Sequence, residues 1–210
     1  MLSKISKKSD NGIGKTLETL LGIRENNQKL ADCVYNCMEV EIKAHRSNSG
    51  SMITLFTLEP RERYLNDIEL MRKYGYIDEK GRQTLKITLT ATSYTEQGLK
   101  LVTDPNEETI SIIDTEENRL WMWYRSDIHI KLGNLCLVSA YSRSGDEIEK
   151  FKIESGELLS GLNFNCIFRL IDEGIVKIDL RMHIKSNGTS RNHGTGFRIL
   201  SWNDLQKFYQ

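Results

Sequence analysis

No stretch of eighteen or more apolar residues occurs in this chain, so no segment is expected to cross a membrane as a helix. The opening MLSKISKKSD carries positive charge but neither an apolar run nor a small-residue cleavage site. It therefore gives no sign of a secretion signal, and a cytoplasmic compartment is expected. Cysteine is sparse: Cys33, Cys37, Cys136 and Cys166 form no dense framework and lie in or beside apolar stretches, as expected of reduced, buried thiols. Cys33 and Cys37 could open a zinc site, but no second Cys or His pair follows at matching spacing, which rejects zinc. Net charge is lacking too. With 29 basic against 29 acidic residues, nothing global marks a polyanionic partner.

The distribution of charge is uneven. Residues 104–119 hold six acids and one base, whereas 175–198 hold five bases (Lys177, Arg181, Lys185, Arg191 and Arg198) and one acid, Asp179. Such asymmetry can set a solvated acidic surface against a local basic footprint for phosphates.

At 210 residues the chain suits one domain with two lobes, without internal repeats. Residues 1–11 are polar and expected to fray. Leu17, Leu20 and Leu21 predict a short amphipathic helix from Lys15, ended by Gly22. CMEVEIKAH alternates strictly and predicts a strand with Glu39, Glu41 and Lys43 on one face and Val40, Ile42 and Ala44 on the other. Strands are also expected at SMITLFTLEP, TLKITLTAT, TISIID, RLWMWYR, LCLVSAYS, EIEKFKI, IVKIDLRMHI and GFRILS. Helices are expected in RYLNDIELMRKYG, within GELLSGLNFNCIFRLIDEG and at WNDLQKFY. This mixture predicts an α/β or α+β fold.

Gly12-Ile13-Gly14-Lys15-Thr16 has the look of a nucleotide loop. A phosphate-binding loop needs Gly-x-x-x-x-Gly-Lys-[Ser/Thr] fed by a buried strand. Here the first glycine position is Ser9 and the preceding SKISKKSDN is polar, so nucleotide binding is the weakest reading. The glycines read better as a lead-in to the helix that carries Glu18.

The residues with chemistry to offer are Asp32, Glu41 and Lys43, an Asp followed by Glu-x-Lys on a strand. Phosphodiester hydrolysis needs a hard cation to polarise the phosphate, and Mg2+ takes oxygen ligands from one or two carboxylates. Period-two alternation points Glu41 and Lys43 the same way, about 6–7 Å apart along the strand. The carboxylate can then hold metal while the lysine orients or helps deprotonate the attacking water. Taken by itself, the pattern is equally that of a Glu–Lys pair on an exposed strand. Eight residues separate Asp32 from Glu41, so either the connecting turn is long or Glu39, on the same face, is the second ligand.

Four ordered segments, NGIGKTLETLLGI, VEIKAHR, SMITLFTLEP and RNHGTGFRI, resemble the MvaI/BcnI family of type II restriction endonucleases, relatives of MutH. The resemblance runs from about Asn11 to Phe208. It implies a PD-(D/E)xK fold, a mixed central β-sheet flanked by helices, with two lobes around a DNA cleft. The catalytic lobe would span about 11–130 and the recognition lobe about 131–210. It implies Mg2+-dependent, sequence-specific cleavage of double-stranded DNA to 5′-phosphate and 3′-hydroxyl ends by a monomer, beside a cognate methyltransferase. The family's metal-binding Asp matches Asp32, its motif Glu matches Glu41 and its Lys matches Lys43. Glu18, fourteen residues before Asp32, matches an acid beside the active site that could bind a second metal or hold the lysine. The sequence begins almost at the glycine motif, so the leading helical segment associated with the family is not expected here.

Alternation in DLRMHIKSNGTSRNHGTGFRI puts Arg181, His183 and Lys185 on one strand face, with a glycine-rich turn returning to Arg198. Arginine suits guanine, whose O6 and N7 meet its forked donors. The family's HGT-x-FR segment implies DNA contacts at His193 and Arg198, extended to Arg181, His183 and Arg191; His193 as a general base is the lesser alternative. Trp121, Trp123, Tyr124 and Trp202 read as core aromatics. The rival functions are a MutH-like nicking enzyme that needs a partner and a non-catalytic DNA-binding module of the same fold.

Overall fold

The computed structural model describes residues 2–3, 12–23, 32–129, 133–143, 150–160 and 165–206. Contacts divide the chain into two units, one built from Met1–Ile53 with Gly133–Leu162, the other from Thr54–Leu132 with Asn163–Phe208. Each unit thus draws on stretches of chain that are far apart in sequence. The reason lies in strand pairing: the strand carrying Glu41 gains its inner neighbour from a hairpin that comes about ninety residues later.

The first unit contains β1 (Leu2–Ser3), α1 (Gly12–Leu20), β2 (Cys33–Tyr35), β3 (Met38–Arg46), β11 (Asn134–Arg143) and β12 (Lys150–Leu159). Its sheet runs β1-β12-β11-β3-β2, with β11 parallel to β3 and every other pair antiparallel. Leu2–Ser3 pairs with β12 where fraying was expected, and the remainder of that polar segment lies outside the described residues. Helix α1 packs on β3. Ile13 of the helix clusters with Ala140 and Phe151, and Ala44 packs against them, so the helix covers the Ala44 face of the sheet. The helix starts at Gly12 rather than Lys15, which places both glycines inside its first turn. It ends as expected at Gly22 (φ 72°), where the Gly22 and Ile23 amides donate to the Thr19 and Glu18 carbonyls in a Schellman cap.

The second unit holds β4 (Ile53–Thr57), β5 (Glu62–Arg63), α2 (Asp67–Tyr74), β6 (Tyr76–Ile77), β7 (Gln83–Leu89), β8 (Leu99–Asp104), β9 (Thr109–Asp114), β10 (Arg119–Tyr124) and α3 (Arg125–His129). It continues with α4 (Asn165–Asp172), β13 (Val176–Ile184), β14 (Ser190–Asn192), β15 (Gly196–Ile199) and α5 (Trp202–Gln206). One sheet runs β5-β10-β9-β8 and the other β4-β15-β13-β7-β6, with β14 beside β13. Helix α2 starts at Asp67 because Asn66 caps it, accepting from the Ile68 and Glu69 amides while Glu69 returns a bond to the Asn66 amide.

Trp121, Trp123 and Phe197 are fully buried, and both indole N–H groups donate to backbone carbonyls, of Leu65 and Leu58. Trp202 is buried too, while Tyr124 is half-buried. The cysteines depart from expectation. All four are free thiols, but Cys37 is exposed and the others are only half-buried. Among the described residues no helix is long and apolar enough to cross a membrane.

Candidate functional site

Tyr35 and Met38 face each other across a two-residue turn formed by Asn36 (φ 48°) and Cys37 (φ 64°). Two consecutive left-handed residues make a type I′ turn, whose twist matches that of the flanking strands. The register pairs Cys33 with Val40 and Val34 with Glu39. Continuing it by one step sets Asp32 opposite Glu41. The eight intervening residues are thus a tight hairpin, not a long turn. The Ile42 amide donates to Asp32 Oδ2 at 2.7 Å, which ties the carboxylate across the strand pair beside Glu41.

Lys43 Nζ donates to Glu41 Oε1 at 2.5 Å, as expected of same-face neighbours on a strand. Their side chains are 25% and 38% exposed. An ion pair this open contributes about 1 kcal/mol or less to stability. Glu39 is exposed, two pairs further towards the turn, opposite Val34. Glu18 is half-buried on α1, with its Oε1 over Gly14. Among the described residues no three His, Cys, Asp or Glu side chains converge to hold a metal ion. A two-carboxylate site of hard oxygens remains, which fits Mg2+, a cation that keeps several waters.

A second cluster forms in the other unit on β13. Asp179, the lone acid of the basic segment, is 7% exposed and accepts three bonds: Thr88 Oγ1 on Oδ1 at 2.8 Å, and Arg181 Nε and Arg198 Nη1 on Oδ2, each at 2.7 Å. The two arginines differ. Arg198 is drawn inward to 14% exposure, whereas Arg181 keeps 55%. Lys86, Thr88, Asp179, Arg181 and His193 line an open cleft of about 570 Å³. Sequence reasoning did not assign Asp179, Thr88 or Lys86. The signal available for Asp179 was its position two residues before Arg181, on the same strand face.

The His193 amide donates to the Arg181 carbonyl, and the His183 and His193 rings lie 5.9 Å apart, tilted by 34°. Partial burial, then the nearby Arg82, His193 and Arg191 charges, lower the pKa of His183, which favours the neutral imidazole. Arg191 is exposed and pairs across the strands with His183. The hairpin thus gathers Arg181, His183, Arg191 and His193 at one end of β13, while Arg198 lies against Asp179. The arrangement offers fixed cationic and imidazole donors on a rigid sheet, the kind of surface that meets base edges and phosphates.

A family model described as the MvaI/BcnI restriction endonuclease family matches residues 2–209. A solved structure titled as the restriction endonuclease MvaI–cognate DNA substrate complex superposes with a TM-score of 0.82. It is 26% identical, over 98% of this chain and 88% of that one. MvaI in the absence of DNA gives a TM-score of 0.59 at 24% identity, over 97% and 88% of the two chains, a likeness of fold. No curated protein sequence matches significantly.

Proposed function

Because the chain belongs to the MvaI/BcnI restriction endonuclease family, and is on that ground a type II site-specific deoxyribonuclease, we propose that it hydrolyses double-stranded DNA with Mg2+, leaving 5′-phosphate and 3′-hydroxyl ends. The observation that carries this reading is the juxtaposition made by the β2–β3 hairpin, with Asp32 tied beside Glu41 and Lys43 on the same face.

In this reading Asp32 and Glu41 hold the cation, which when bound polarises the scissile phosphate and offsets charge on its oxygens. Asp32 is held by the Ile42 amide through one oxygen, so its other oxygen serves as a ligand without rearrangement. Lys43 turns from Glu41 to the attacking water and aligns its lone pair with phosphorus. The water oxygen bonds to phosphorus as the P–O3′ bond breaks. The water's proton passes to solvent and the departing oxygen takes one up, which completes the 3′-hydroxyl. Glu18 lies on α1, the helix that covers the opposite, Ala44 face of the sheet, and this reading gives it no step. Arg181, His183, Arg191, His193 and Arg198 supply sequence recognition, and the enzyme acts as a monomer beside a cognate methyltransferase.

Fragment ends test the chemistry. Fragments from a Mg2+ digest are expected to rejoin with DNA ligase, and to stop doing so after phosphatase treatment. Fragments that ligase cannot join until a kinase adds 5′-phosphate would contradict the proposed bond cleavage. Strand-resolved gels of the same digest would reveal nicks alone if a MutH-like activity is the true one.

A further inference from the structure

The turn that carries His193 is not free to choose its shape, because one carboxylate outside it holds both of its ends. Glu59 follows β4. Its Oε1 accepts the Thr195 amide at 3.0 Å, and its Oε2 accepts Asn192 Nδ2 at 3.2 Å as well as the Arg63 guanidinium. Next to it, the Leu58 amide donates to the Thr195 carbonyl at 3.0 Å, so the β4 end grips Thr195 on both of its backbone groups. Inside the turn, Asn192 Oδ1 accepts the Gly194 amide at 2.9 Å. Gly194 adopts φ 89°, a conformation that L side chains rarely take. The Leu58 carbonyl in turn accepts the buried indole N–H of Trp123, which anchors the clamp in the core.

From these contacts we infer that Glu59 is a positioning residue for sequence discrimination. It fixes the Asn192–Thr195 turn so that His193, and through β15 Arg198, meet DNA in one geometry. The inference rests on the nuclease reading above. The physical reason is the geometry that discrimination requires. A mismatched base is rejected only when donors cannot shift to meet it, and a loop free to move by an ångström could rescue wrong pairs. A carboxylate suits the task because it is acceptor-only, and every group aimed at it here is a donor. Glu59→Gln keeps the shape but turns one acceptor into a donor facing Asn192 and Arg63. The Glu59 partners Thr195, Asn192 and Arg63 all belong to the second unit, whereas Asp32, Glu41 and Lys43 belong to the first, so the substitution separates recognition from cleavage.

The test begins by mapping the cut site of the wild-type enzyme on plasmid DNA. Single-turnover cleavage is then measured on duplex oligonucleotides bearing that site and its single-base variants. For Glu59→Gln the ratio of cognate to variant rates is expected to fall about tenfold, with exchange of the Gly194 and Thr195 amides accelerated. Glu59→Asp, which keeps an acceptor-only group, should recover part of the ratio. Asn192→Ala, which removes the other side of the clamp, should lower the ratio too and serves if Glu59→Gln does not fold. An unchanged ratio in folded Glu59→Gln, with only a lowered Tm, would overturn the proposal and leave the nuclease reading intact. A wild-type protein that cuts no DNA would overturn both.

Discussion

At the scale of single residues, the proposed reading gives the chemistry to Lys43 and Glu41, whose open ion pair contributes little to stability. Lys43→Ala is therefore expected to fold normally and to lose about 10²–10⁴-fold in cleavage rate, the range for a positioned proton-handling group. Specific binding in Ca2+ should persist. Gel shifts alongside single-turnover assays check this, and retained cleavage would remove Lys43 from the mechanism. His183 gives a pH signature. Its pKa is lower folded than unfolded, so between those values the unfolded chain binds more protons. Its contribution to stability is accordingly complete above the unfolded value of about 6.5 and is lost as pH falls through the folded one. Urea midpoints of wild type and His183→Gln should converge at pH 5 relative to their separation at pH 8. Parallel midpoints across that range would contradict a neutral His183.

At the scale of elements, the β2–β3 hairpin decides whether Asp32 reaches Glu41. Its turn uses Cys37 at a left-handed position where glycine is favoured. Cys37→Gly is expected to stabilise the protein by about 0.5–1 kcal/mol, the left-handed penalty less the added freedom of an unfolded glycine. Differential scanning calorimetry should show a rise in Tm with cleavage retained, and a fall would contradict the I′ geometry. Local pattern made much of this legible. The alternation of CMEVEIKAH marks β3 and its two faces, and Gly22 marks the end of α1.

Where local pattern misled, partners distant in sequence prevailed. The segment GELLSGLNFNCIFRLIDEG contains the expected helix, α4, but its first four residues extend β12 because β11 pairs with it along its length. The strand β8 was missed, since LKLVTD becomes a strand through its pairing with β9. The partners of Asp179 and Glu59 lie as far as 91 and 136 residues away, separations that no short window of sequence can join.

At the scale of the whole molecule, a chain with zero formal net charge has no global attraction for DNA. In the proposed reading its affinity comes from the basic end of β13 and from a cation held by Asp32 and Glu41, so raising salt should weaken binding through few phosphate contacts. The family match over residues 2–209 establishes the class of enzyme, and the metal-dependent step is the central claim left to measurement. The most direct measurement incubates purified protein with unmodified DNA of known sequence, with Mg2+ or with EDTA, and maps the ends. The expected result is a fixed set of fragments cut at one short sequence with Mg2+ and intact DNA with EDTA. Intact DNA under both conditions, or the same fragments in EDTA, would contradict it.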